Sequence, residues 1–459
     1  MIKKDDWMIS DPENSNEFSV SSKILNDAIF ADLHIHSRFS QACSRNITFE
    51  NLVKWARIKG LDLLGTGDFT HPVWFQEIKE LKPNGKGFYY KDDAKNSQVN
   101  FGAAESRTLP MQGADEDSAG FPFIITGEIS LIYTQERGRR IHLVVLVPSI
   151  EVAEKINAYL DTKGRRDYDG RPIFKIPGDE FVKNLKEISD DIEIIPAHIW
   201  TPWFSVFGSK SGFDSLKECF KDQVDKVYAI ETGMSSDPEM NWRIKELENK
   251  SIVSFSDAHS FWPFRLGREA TIFKKTNSYK EIIRQIREND FIATIEVDPN
   301  YGKYHWDGHR NCGFSCGPKK SKELDGICPV CGKPLTIGVE YRVEELASNP
   351  LGHKIDGGKP FYTLLPLHEL ISLNFGVSIQ SKKVWEVYNS LIQEFGNEFN
   401  ILLNVSREDL IKGNVDAKLV GLIMKNRSGG ISVRPGFDGE YGVAQVGDSV
   451  RGEKQVKLF

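Results

Sequence analysis

Short apolar runs recur along the first two thirds of the chain, and each run ends in a polar or ionisable residue. The runs read IFADLHIH, LDLLGTGDF, FPFIITGEIS, RIHLVVLVP, DIEIIPAHIW, KVYAIETG and SIVSFSDAH. Segments with helical spacing lie between several of them, including TFENLVKWARIKG, PGDEFVKNLKEIS and SLKECFKD. Apolar strands that alternate with helices predict parallel βα units. Ionisable residues at the ends of such strands are typical of an α/β barrel with its active site at that edge.

Two helices carry clear start and stop signals. Thr48 is placed as the N-cap of the first helix, and Gly60 as its end. In the C-terminal part, SKKVWEVYNSLIQEFG has Ser381 as N-cap and an apolar face. That face consists of Val384, Tyr388, Leu391 and Phe395.

The pattern of apolar and polar residues changes at several places along the chain, which predicts five segments. They are a polar lead-in (1–29), an α/β barrel (30–302), a Cys-rich domain (303–364), a helical region (365–445) and a tail (446–459). A polar stretch rich in Gly, Ser and Asp (83–120) interrupts the barrel. It is either a surface insertion beside the site or a mobile loop without a role.

Composition excludes several classes of protein. The 459 residues are 40% hydrophobic and 27% charged, and their net charge is −6. This balance is ordinary for a globular protein, and it excludes a polycation that coats nucleic acid by bulk charge. The start of the chain is polar and no run of about 18 apolar residues occurs, so we expect a cytoplasmic protein without a membrane span.

Nine ionisable residues at or just after the strand ends form the candidate site. They are His34, His36, Asp68, His71, Glu128, His142, His198, Asp257 and His259. A single histidine of this kind is more often a core or surface residue, but the joint pattern favours a metal centre. Imidazole and carboxylate groups suit zinc or manganese, and nine ligands exceed the need of one tetrahedral ion. We expect two or three divalent ions (zinc, manganese or magnesium), with Glu128 as a bridge and with Asp68, His71 or both as ligands.

Adjacent metal ions favour one reaction class. They supply hydroxide at neutral pH and stabilise the attacking and leaving oxygens of a phosphoryl displacement. Hydrolysis of a phosphate ester is therefore the predicted reaction. His34, His36, Asp257 and His259 are the candidate catalytic residues, and a histidine or aspartate among the ligands can protonate the leaving group.

A second candidate metal site lies in CGFSCGPKKSKELDGICPVCG. Cys312-x3-Cys316 and Cys328-x2-Cys331 predict one closed, structural zinc site, with disulfides as the weaker alternative in a cytosolic chain. The first spacing is unusual, and His309 is a candidate substitute ligand. The lysines between the two pairs either contact DNA phosphate or form a solvated tip.

The strand-end motifs resemble those of the polymerase and histidinol phosphatase (PHP) superfamily. DLHIHS matches its first motif, and the Glu, His, His and SDAH elements follow in the expected order. The resemblance implies a distorted (βα)7 barrel with up to three metal ions and phosphoesterase activity. Two departures bear on the third metal position. The second motif reads TGDFTH, and SRFSQACS after the first motif offers only Cys43 and hydroxyl groups.

The order of motifs over residues 30–445 resembles, more closely, the endonuclease Q family. It carries GTGDFTHP, PAHIWTPWFSVFG and SFSDAHS, then YHWDGHRNC, CPVCGKPLT and RPGFDGEYG. The resemblance implies a metal-dependent DNA endonuclease that cuts 5′ of deaminated bases (hypoxanthine, uracil, xanthine) or abasic sites and leaves a 3′-hydroxyl. Its expected partner is double- or single-stranded DNA that contains the lesion. A small-molecule phosphatase and a non-catalytic DNA-binding or scaffold protein are the alternatives.

Reading a deaminated base requires its extrusion into a pocket and stacking on aromatic rings. Aromatic residues close in sequence to the metal ligands are candidates, although such residues are more often core. They are Trp74, Phe75, Trp200, Trp203, Phe204, Phe261 and Trp262. The expected DNA contacts are Arg38, Ser40, Trp200, Trp203, Lys425 and Arg434.

Overall fold

The computed structural model describes residues 27–92 and 120–445. Most of the predicted lead-in, residues 93–119 of the predicted insertion and the predicted tail therefore lie outside the described residues. The first strand begins at Ala28, two residues inside the predicted lead-in.

The strands are numbered here in chain order. They are β1 (Ala28–Asp32), β2 (Leu63–Gly65), β3 (Lys82–Pro83), β4 (Tyr89–Lys91), β5 (Phe121–Gln135), β6 (Arg137–Val147), β7 (Ile173–Phe174), β8 (Glu193–Pro196), β9 (Ala229–Glu231), β10 (Ser251–Val253), β11 (Ala270–Lys274), β12 (Ala293–Glu296), β13 (Asp307–His309), β14 (Phe314–Cys316), β15 (Phe361–Thr363), β16 (Ser432–Arg434) and β17 (Val443–Gln445).

The α-helices connect and cover these strands. They span Phe49–Lys59, Pro72–Lys79, Ile150–Asp161, Gly178–Ile188, Leu216–Phe220, Pro238–Trp242, Tyr279–Arg287, Pro318–Glu323, Val339–Leu346, Leu367–Phe375, Lys382–Phe395, Glu398–Leu403, Arg407–Lys412 and Ala417–Arg427. Short 3₁₀ helices span Lys221–Lys226, Lys245–Leu247, Pro299–Tyr301 and Arg310–Cys312.

The predicted helix caps are confirmed. The Thr48 side chain accepts a hydrogen bond from the Asn51 N–H (3.2 Å), and Gly60 ends the helix with a φ of 96°. Only glycine adopts that left-handed conformation readily. Ser381 accepts from the Val384 N–H (3.3 Å) at the start of the long C-terminal helix.

Backbone hydrogen bonds connect seven strands in a ring. Strand pairs join β1, β2, β5, β6 and β8 in that order, and β9 pairs with β10. The Ile199 N–H donates to the Glu231 carbonyl (3.0 Å), which links the end of β8 to β9. The His36 N–H donates to the Ala258 carbonyl (3.0 Å), which returns the chain of contacts to β1. We call these seven strands the strand ring.

One strand of the ring departs from the parallel arrangement that the sequence predicts. β6 runs antiparallel to both β5 and β8. A single residue between β5 and β6, Glu136 with a φ of 61°, makes the connection a hairpin. A parallel pair needs a crossover of a dozen or more residues. A link of one residue therefore forces the antiparallel pairing.

The C-terminal helices pack directly on the α/β part of the chain. At the junction, Lys59 Nζ lies 2.6 Å from Glu398 Oε1, and the Tyr388 hydroxyl donates to Glu398 Oε2 (2.9 Å). All three side chains are buried. A buried ion pair is stable only when further hydrogen bonds complete it, as Tyr388 does here. No helix within the described ranges is both long and apolar enough to cross a membrane.

Candidate metal centre

Five strands of the ring bring six of the nine predicted ligands together. His34 and His36 follow β1, Glu128 lies in β5, His142 in β6, His198 follows β8 and Asp257 follows β10. They form two groups in which the candidate ligand atoms lie within 4.8 Å of one another. The first group consists of His34, His36, Glu128 and Asp257, and the second consists of Glu128, His142 and His198.

Glu128 belongs to both groups because its two carboxylate oxygens face opposite sides. Oε1 lies 2.7 Å from His142 Nδ1 and 3.1 Å from His198 Nε2. Oε2 lies 3.4 Å from His36 Nε2 and 3.8 Å from His34 Nε2. Glu128 thus has one oxygen facing each group, as a carboxylate shared between two metal ions would require.

The backbone turns sharply where the ligands leave their strands. Asp68, His198 and Asp257 have φ values of 45°, 33° and 48°, in the left-handed region that non-glycine residues avoid. Such conformations cost about 1–3 kcal/mol each and persist where surrounding contacts enforce them. Gly233 provides one such contact, because a Cβ at this position would lie 2.7 Å from the His198 Cβ.

A buried glutamate that the sequence did not single out orients the first histidine. Glu231 Oε1 lies 2.8 Å from His34 Nδ1, and Glu231 Oε2 accepts a hydrogen bond from the His198 N–H (2.8 Å). His34 Nε2 is buried and has no hydrogen-bond partner among the described residues. Metal-bound histidines are oriented in this way, with one ring nitrogen on a carboxylate and the other on the ion. The residues therefore fit a metal ion.

Asp68, which the sequence predicts as a ligand, contacts His36 in the way that Glu231 contacts His34. Its Oδ1 lies 3.0 Å from His36 Nδ1, and its Oδ2 accepts from the Ser37 N–H (2.6 Å) and the Ser40 hydroxyl (2.8 Å). These bonds occupy both oxygens and keep Asp68 outside the two ligand groups.

His71 and His259 also lie outside the two groups. His71 is buried and stacks on Phe39, with ring centroids 4.2 Å apart. His259 lies beside the site, with its ring centroid 4.6 Å from that of His36. Its Nδ1 donates to the Asp257 carbonyl oxygen (3.0 Å), so Nε2 is the ring atom available to an ion or a substrate.

The site concentrates negative charge that its histidines balance. Burial would raise the pKa of Glu128, but His142 and Arg171 outweigh it and hold that pKa well below its ordinary value. Burial likewise opposes the charge of His34, yet Glu231 and Glu128 raise the pKa of His34 well above its ordinary value. Divalent ions bound here would supply positive charge beside these buried carboxylates.

The cysteine cluster has a different ligand set from the predicted one. His309, Cys312, Cys328 and Cys331 converge within 4.8 Å, with Cys331 Sγ 3.3 Å from His309 Nδ1. Cys316 lies outside this group, buried in a small core with Cys328 and Leu335. The structure thus favours His309, the substitute candidate, over Cys316 as the fourth ligand.

Spacing explains the exchange of Cys316 for His309. His309 and Cys312 are separated by two residues, as are Cys328 and Cys331. The CxxxC spacing carries Cys316 into β14, where it faces the small core instead. Burial raises the pKa of the Cys328 thiol, but the backbone N–H groups of Val330 and Cys331 outweigh it and bring that pKa to about 7. A thiol poised in this way readily becomes the thiolate that zinc requires.

Three of the six predicted DNA contacts are buried or are bonded to other side chains of the protein. Ser40 is buried on Asp68, and Trp200 is fully buried with its Nε1 donating to Asn241 Oδ1 (2.8 Å). The Arg38 guanidinium pairs with Glu77 and donates to the Ile47 carbonyl (3.2 Å). These contacts do not favour the three residues as DNA contacts, and neither strand alternation nor loop position along the sequence reveals such partners.

The other three predicted DNA contacts are accessible. Lys425 and Arg434 are exposed. Trp203 is 37% exposed and meets the Tyr304 ring edge-on at 5.3 Å. Of the remaining aromatic candidates, Trp74, Phe75 and Phe261 are core residues, whereas Trp262 is 37% exposed.

Sequence reasoning also missed Arg171. Its Nη1 lies 3.0 Å from Glu128 Oε2, directly at the metal centre. Arg171 follows no strand and belongs to no motif, so the pattern along the chain carries no signal for it. Glu231 did carry a signal in the sequence. It follows the apolar residues of KVYAIETG, at the position where the other strands place their candidate ligands.

Comparisons with known proteins place the whole chain beside one group of enzymes. The structure is similar to the crystal structure of the lesion-specific endonuclease PfuEndoQ from Pyrococcus furiosus, with a TM-score of 0.77 and 29% identity over 92% of this chain and 96% of that one. It is equally similar to endonuclease Q in complex with a 27-mer duplex that has an abasic lesion at the active site (TM-score 0.77, 29% identity, 92% and 97% coverage). The predicted resemblance to endonuclease Q is confirmed.

Sequence relatives extend the comparison. The protein MJ0043 of Methanocaldococcus jannaschii is 34% identical over 290 residues, 61% of this chain and 34% of that protein. The match thus spans about a third of the archaeal relative. YqxK of Bacillus subtilis is 27% identical over 90% of this chain and 98% of its own length. A family model described as the MJ0043 C-terminal domain matches residues 366–430.

Proposed function

We propose that this chain is a metal-dependent DNA repair endonuclease that hydrolyses the phosphodiester 5′ of a damaged nucleotide and leaves a 3′-hydroxyl. The damaged nucleotides are deaminated bases (hypoxanthine, uracil or xanthine) and abasic sites. Similarity to a lesion-specific endonuclease over 92% of the chain supports the class of enzyme, and the complex with an abasic duplex supports one substrate. The observation that carries the proposal is Glu128 between two groups of histidines.

The proposed architecture has three working parts. The strand ring supports a distorted (βα)7 barrel of the PHP type over residues 30–302. Residues 303–364 form a small zinc-binding domain around His309, Cys312, Cys328 and Cys331. Residues 365–445 form a helical DNA-binding region, which includes the matched family segment.

Two sets of side chains would hold the catalytic ions. His34, His36, Asp257 and Glu128 form one set, and Glu128 with His142 and His198 forms the other. Divalent ions bound there (zinc, manganese or magnesium) supply hydroxide at neutral pH and stabilise the oxygens of a phosphodiester displacement. Asp68 has its oxygens engaged by His36, Ser37 and Ser40, so it offers little to a third ion.

His259 is the residue best placed to move a proton. Its Nδ1–H is committed to the Asp257 carbonyl, which leaves a lone pair on Nε2. Burial lowers the pKa of His259, so the imidazole is neutral near pH 7 and suited to accept a proton. The side chain is about one-third exposed, at 34%, and is accessible to DNA at the mouth of the site.

Cleavage of a labelled duplex tests the proposal. A 5′-labelled duplex with a single abasic site, deoxyinosine or deoxyuridine is incubated with the protein and Mg²⁺, Mn²⁺ or Zn²⁺, beside the undamaged duplex. We expect one cut directly 5′ of each lesion and none in the undamaged DNA. A DNA polymerase should extend the cut strand without prior end processing, since the product ends in a 3′-hydroxyl.

A matched histidine pair controls for misfolding. His34→Ala removes a ligand, whereas His353→Ala alters a half-buried histidine far along the chain that lies 3.6 Å from Glu248. Cleavage should be lost in the first variant only. Hydrolysis of small phosphate monoesters without DNA cleavage would favour the phosphatase, and DNA binding without cleavage in any metal would favour the scaffold.

A further inference from the structure

A loop of residues 164–172 packs against one side of the metal centre. The Gly170 N–H donates to the Phe39 carbonyl (3.1 Å). A Cβ on Gly170 would lie 2.2 Å from Asp68 Oδ2 and 2.4 Å from Ser40 Oγ. The loop therefore touches the residues that support His36, and only glycine fits at this contact.

Further bonds hold the loop in place on both sides of Gly170. The Arg166 guanidinium pairs with Asp161 through two bonds of 2.8 Å and also donates to the Thr70 carbonyl. Asp169 Oδ1 accepts from the backbone N–H groups of Gln41 (3.3 Å) and Arg171 (3.0 Å). The position of Arg171 is thus set by the fold.

The loop delivers the Arg171 side chain to the shared carboxylate. Its Nη1 lies 3.0 Å from Glu128 Oε2, the oxygen that faces His34 and His36. The side chain is 22% exposed, so it lies between the buried ligands and the opening of the site. One guanidinium nitrogen meets Glu128, and arginine carries five N–H donors in a fixed fork.

Charge decides what this guanidinium can do once ions occupy the site. Glu128 would then give its charge to the ions, and Arg171 would be a further cation beside them. An anion bound between the Arg171 guanidinium and the ions would be attracted by both. Arginine binds phosphate through paired, charge-assisted hydrogen bonds, and donors fixed in place stabilise charge that develops in the transition state.

We propose that Arg171 binds a non-bridging oxygen of the scissile phosphate and is a catalytic residue of this site. The inference rests on the proposed nuclease function and adds the residue that engages the reacting group. A merely structural alternative exists, in which Arg171 only holds Glu128 in position.

The test compares Arg171→Met with Arg165→Met, a matched control on the same loop. Arg165 is 76% exposed and pairs with Asp167, two residues away. Under single-turnover conditions, Arg171→Met should cleave an abasic duplex about 100- to 1,000-fold more slowly, as expected when one donor to a developing charge is lost. Arg165→Met should cleave at the wild-type rate. Metal analysis should find the same ion content in all three proteins.

A binding experiment separates phosphate contact from positioning. An abasic duplex with an ordinary or a neutral methylphosphonate linkage at the scissile position is bound by Asp257→Asn and by the double variant Asp257→Asn, Arg171→Met. We expect the neutral linkage to weaken binding about 10- to 100-fold more when Arg171 is present than when it is absent, because the ions contact the phosphate in both proteins. Arg171→Lys, which keeps the charge, should retain part of the preference.

Two results would overturn the proposal for Arg171. One is an equal loss of affinity for the neutral linkage with and without Arg171. The other is a drop in metal content that parallels the drop in cleavage, which would assign Arg171 to the support of Glu128. If the wild-type protein cuts no lesion duplex at all, the proposed function itself fails, and that result is distinct from both.

Discussion

The metal centre on the strand ring and the cysteine cluster are assembled in opposite ways. The metal centre takes six side chains from five strands between His34 and Asp257, and buried carboxylates support it from behind. The cysteine cluster takes its four side chains from one short segment, His309 to Cys331, and the segment has only a small core. A site that a large fold holds in place can have side chains that serve catalysis. A site that holds its own short segment together serves the stability of that segment.

The first expected difference concerns a ligand of the metal centre. Asp257→Asn should lower the cleavage rate by about 1,000-fold, the equivalent of ~4 kcal/mol of transition-state stabilisation. Its carboxylate lies 2.9 Å from His36 Nε2, but the side chain is 27% exposed, so no core contact is lost. Calorimetry should find a Tm close to that of the wild type. A wild-type cleavage rate would contradict the assignment of Asp257.

A ligand of the cysteine cluster should give the opposite result. Cys328→Ser should release about one zinc ion per chain and make residues 303–338 sensitive to protease, since zinc supplies most of the folding free energy of such a segment. The metal content of the strand ring should not change. Intact resistance to protease together with full loss of zinc would contradict the structural role.

A smaller effect is expected from the carboxylate behind His34. Glu231→Gln keeps the size of the side chain but removes the charge that orients His34 and holds the His198 N–H. Loss of such a supporting partner typically costs about 10- to 100-fold in metal affinity or activity. Manganese titration of cleavage should show this shift, and Glu239→Gln, at an exposed helix position, should show none.

The two residues that exchanged roles in the cysteine cluster can be compared directly. We expect His309→Ala to weaken zinc binding measurably in a competition with a chelator. Cys316→Ser should bind zinc as the wild type does, at a modest cost in stability from a buried hydroxyl. Loss of zinc from Cys316→Ser with retention in His309→Ala would restore the predicted four-cysteine site.

The smallest expected effect concerns a histidine outside both sites. His368 is fully buried against Trp385 and Tyr388, and both of its ring nitrogens lack a hydrogen-bond partner among the described residues. Burial, aided by the charge of Lys59, lowers the pKa of His368 well below its ordinary value. Folded His368 therefore stays neutral as the pH falls, while the unfolded chain binds a proton below about pH 6.5.

The folded and unfolded states bind different numbers of protons at acid pH. The unfolded state binds more protons below about pH 6.5, so acid lowers the free energy of unfolding through this residue. His368→Phe removes the dependence and should stabilise the chain by about 1–2 kcal/mol at acid pH, where the unfolded chain binds a proton that folded His368 does not. Chemical denaturation at pH 7 and pH 5.5 measures it. An equal difference between the variants at both pH values would show that His368 does not titrate in this way.

The sequence predicted side chains that follow a strand better than side chains that lie on loops. Period-two spacing placed His34 and His36 on one face, and chain order placed Glu128, His142, His198 and Asp257 at strand ends, so the convergence of these six side chains was predictable. Asp68 and Ser40 lie on the same loops, but they face each other, and loop position does not encode such pairing. Spacing alone does not choose between Cys316 and His309, since the choice depends on how β13 and β14 turn the chain.

Residues that act from a distance in sequence were the hardest to predict. Arg171 reaches Glu128 from a loop held by contacts to Asp161, Thr70, Phe39 and Gln41, which come together only in the fold. The hairpin between β5 and β6 was missed for a related reason, because alternating apolar runs look alike in parallel and antiparallel strands.

Anomalous diffraction from crystals grown with manganese tests most directly whether the six side chains around Glu128 form a metal centre. We expect one peak among His34, His36, Asp257 and Glu128 and another among Glu128, His142 and His198, each about 2.0–2.3 Å from its ligand atoms. Glu128 should contact both ions. Manganese bound elsewhere, with both positions beside Glu128 empty, would contradict the account.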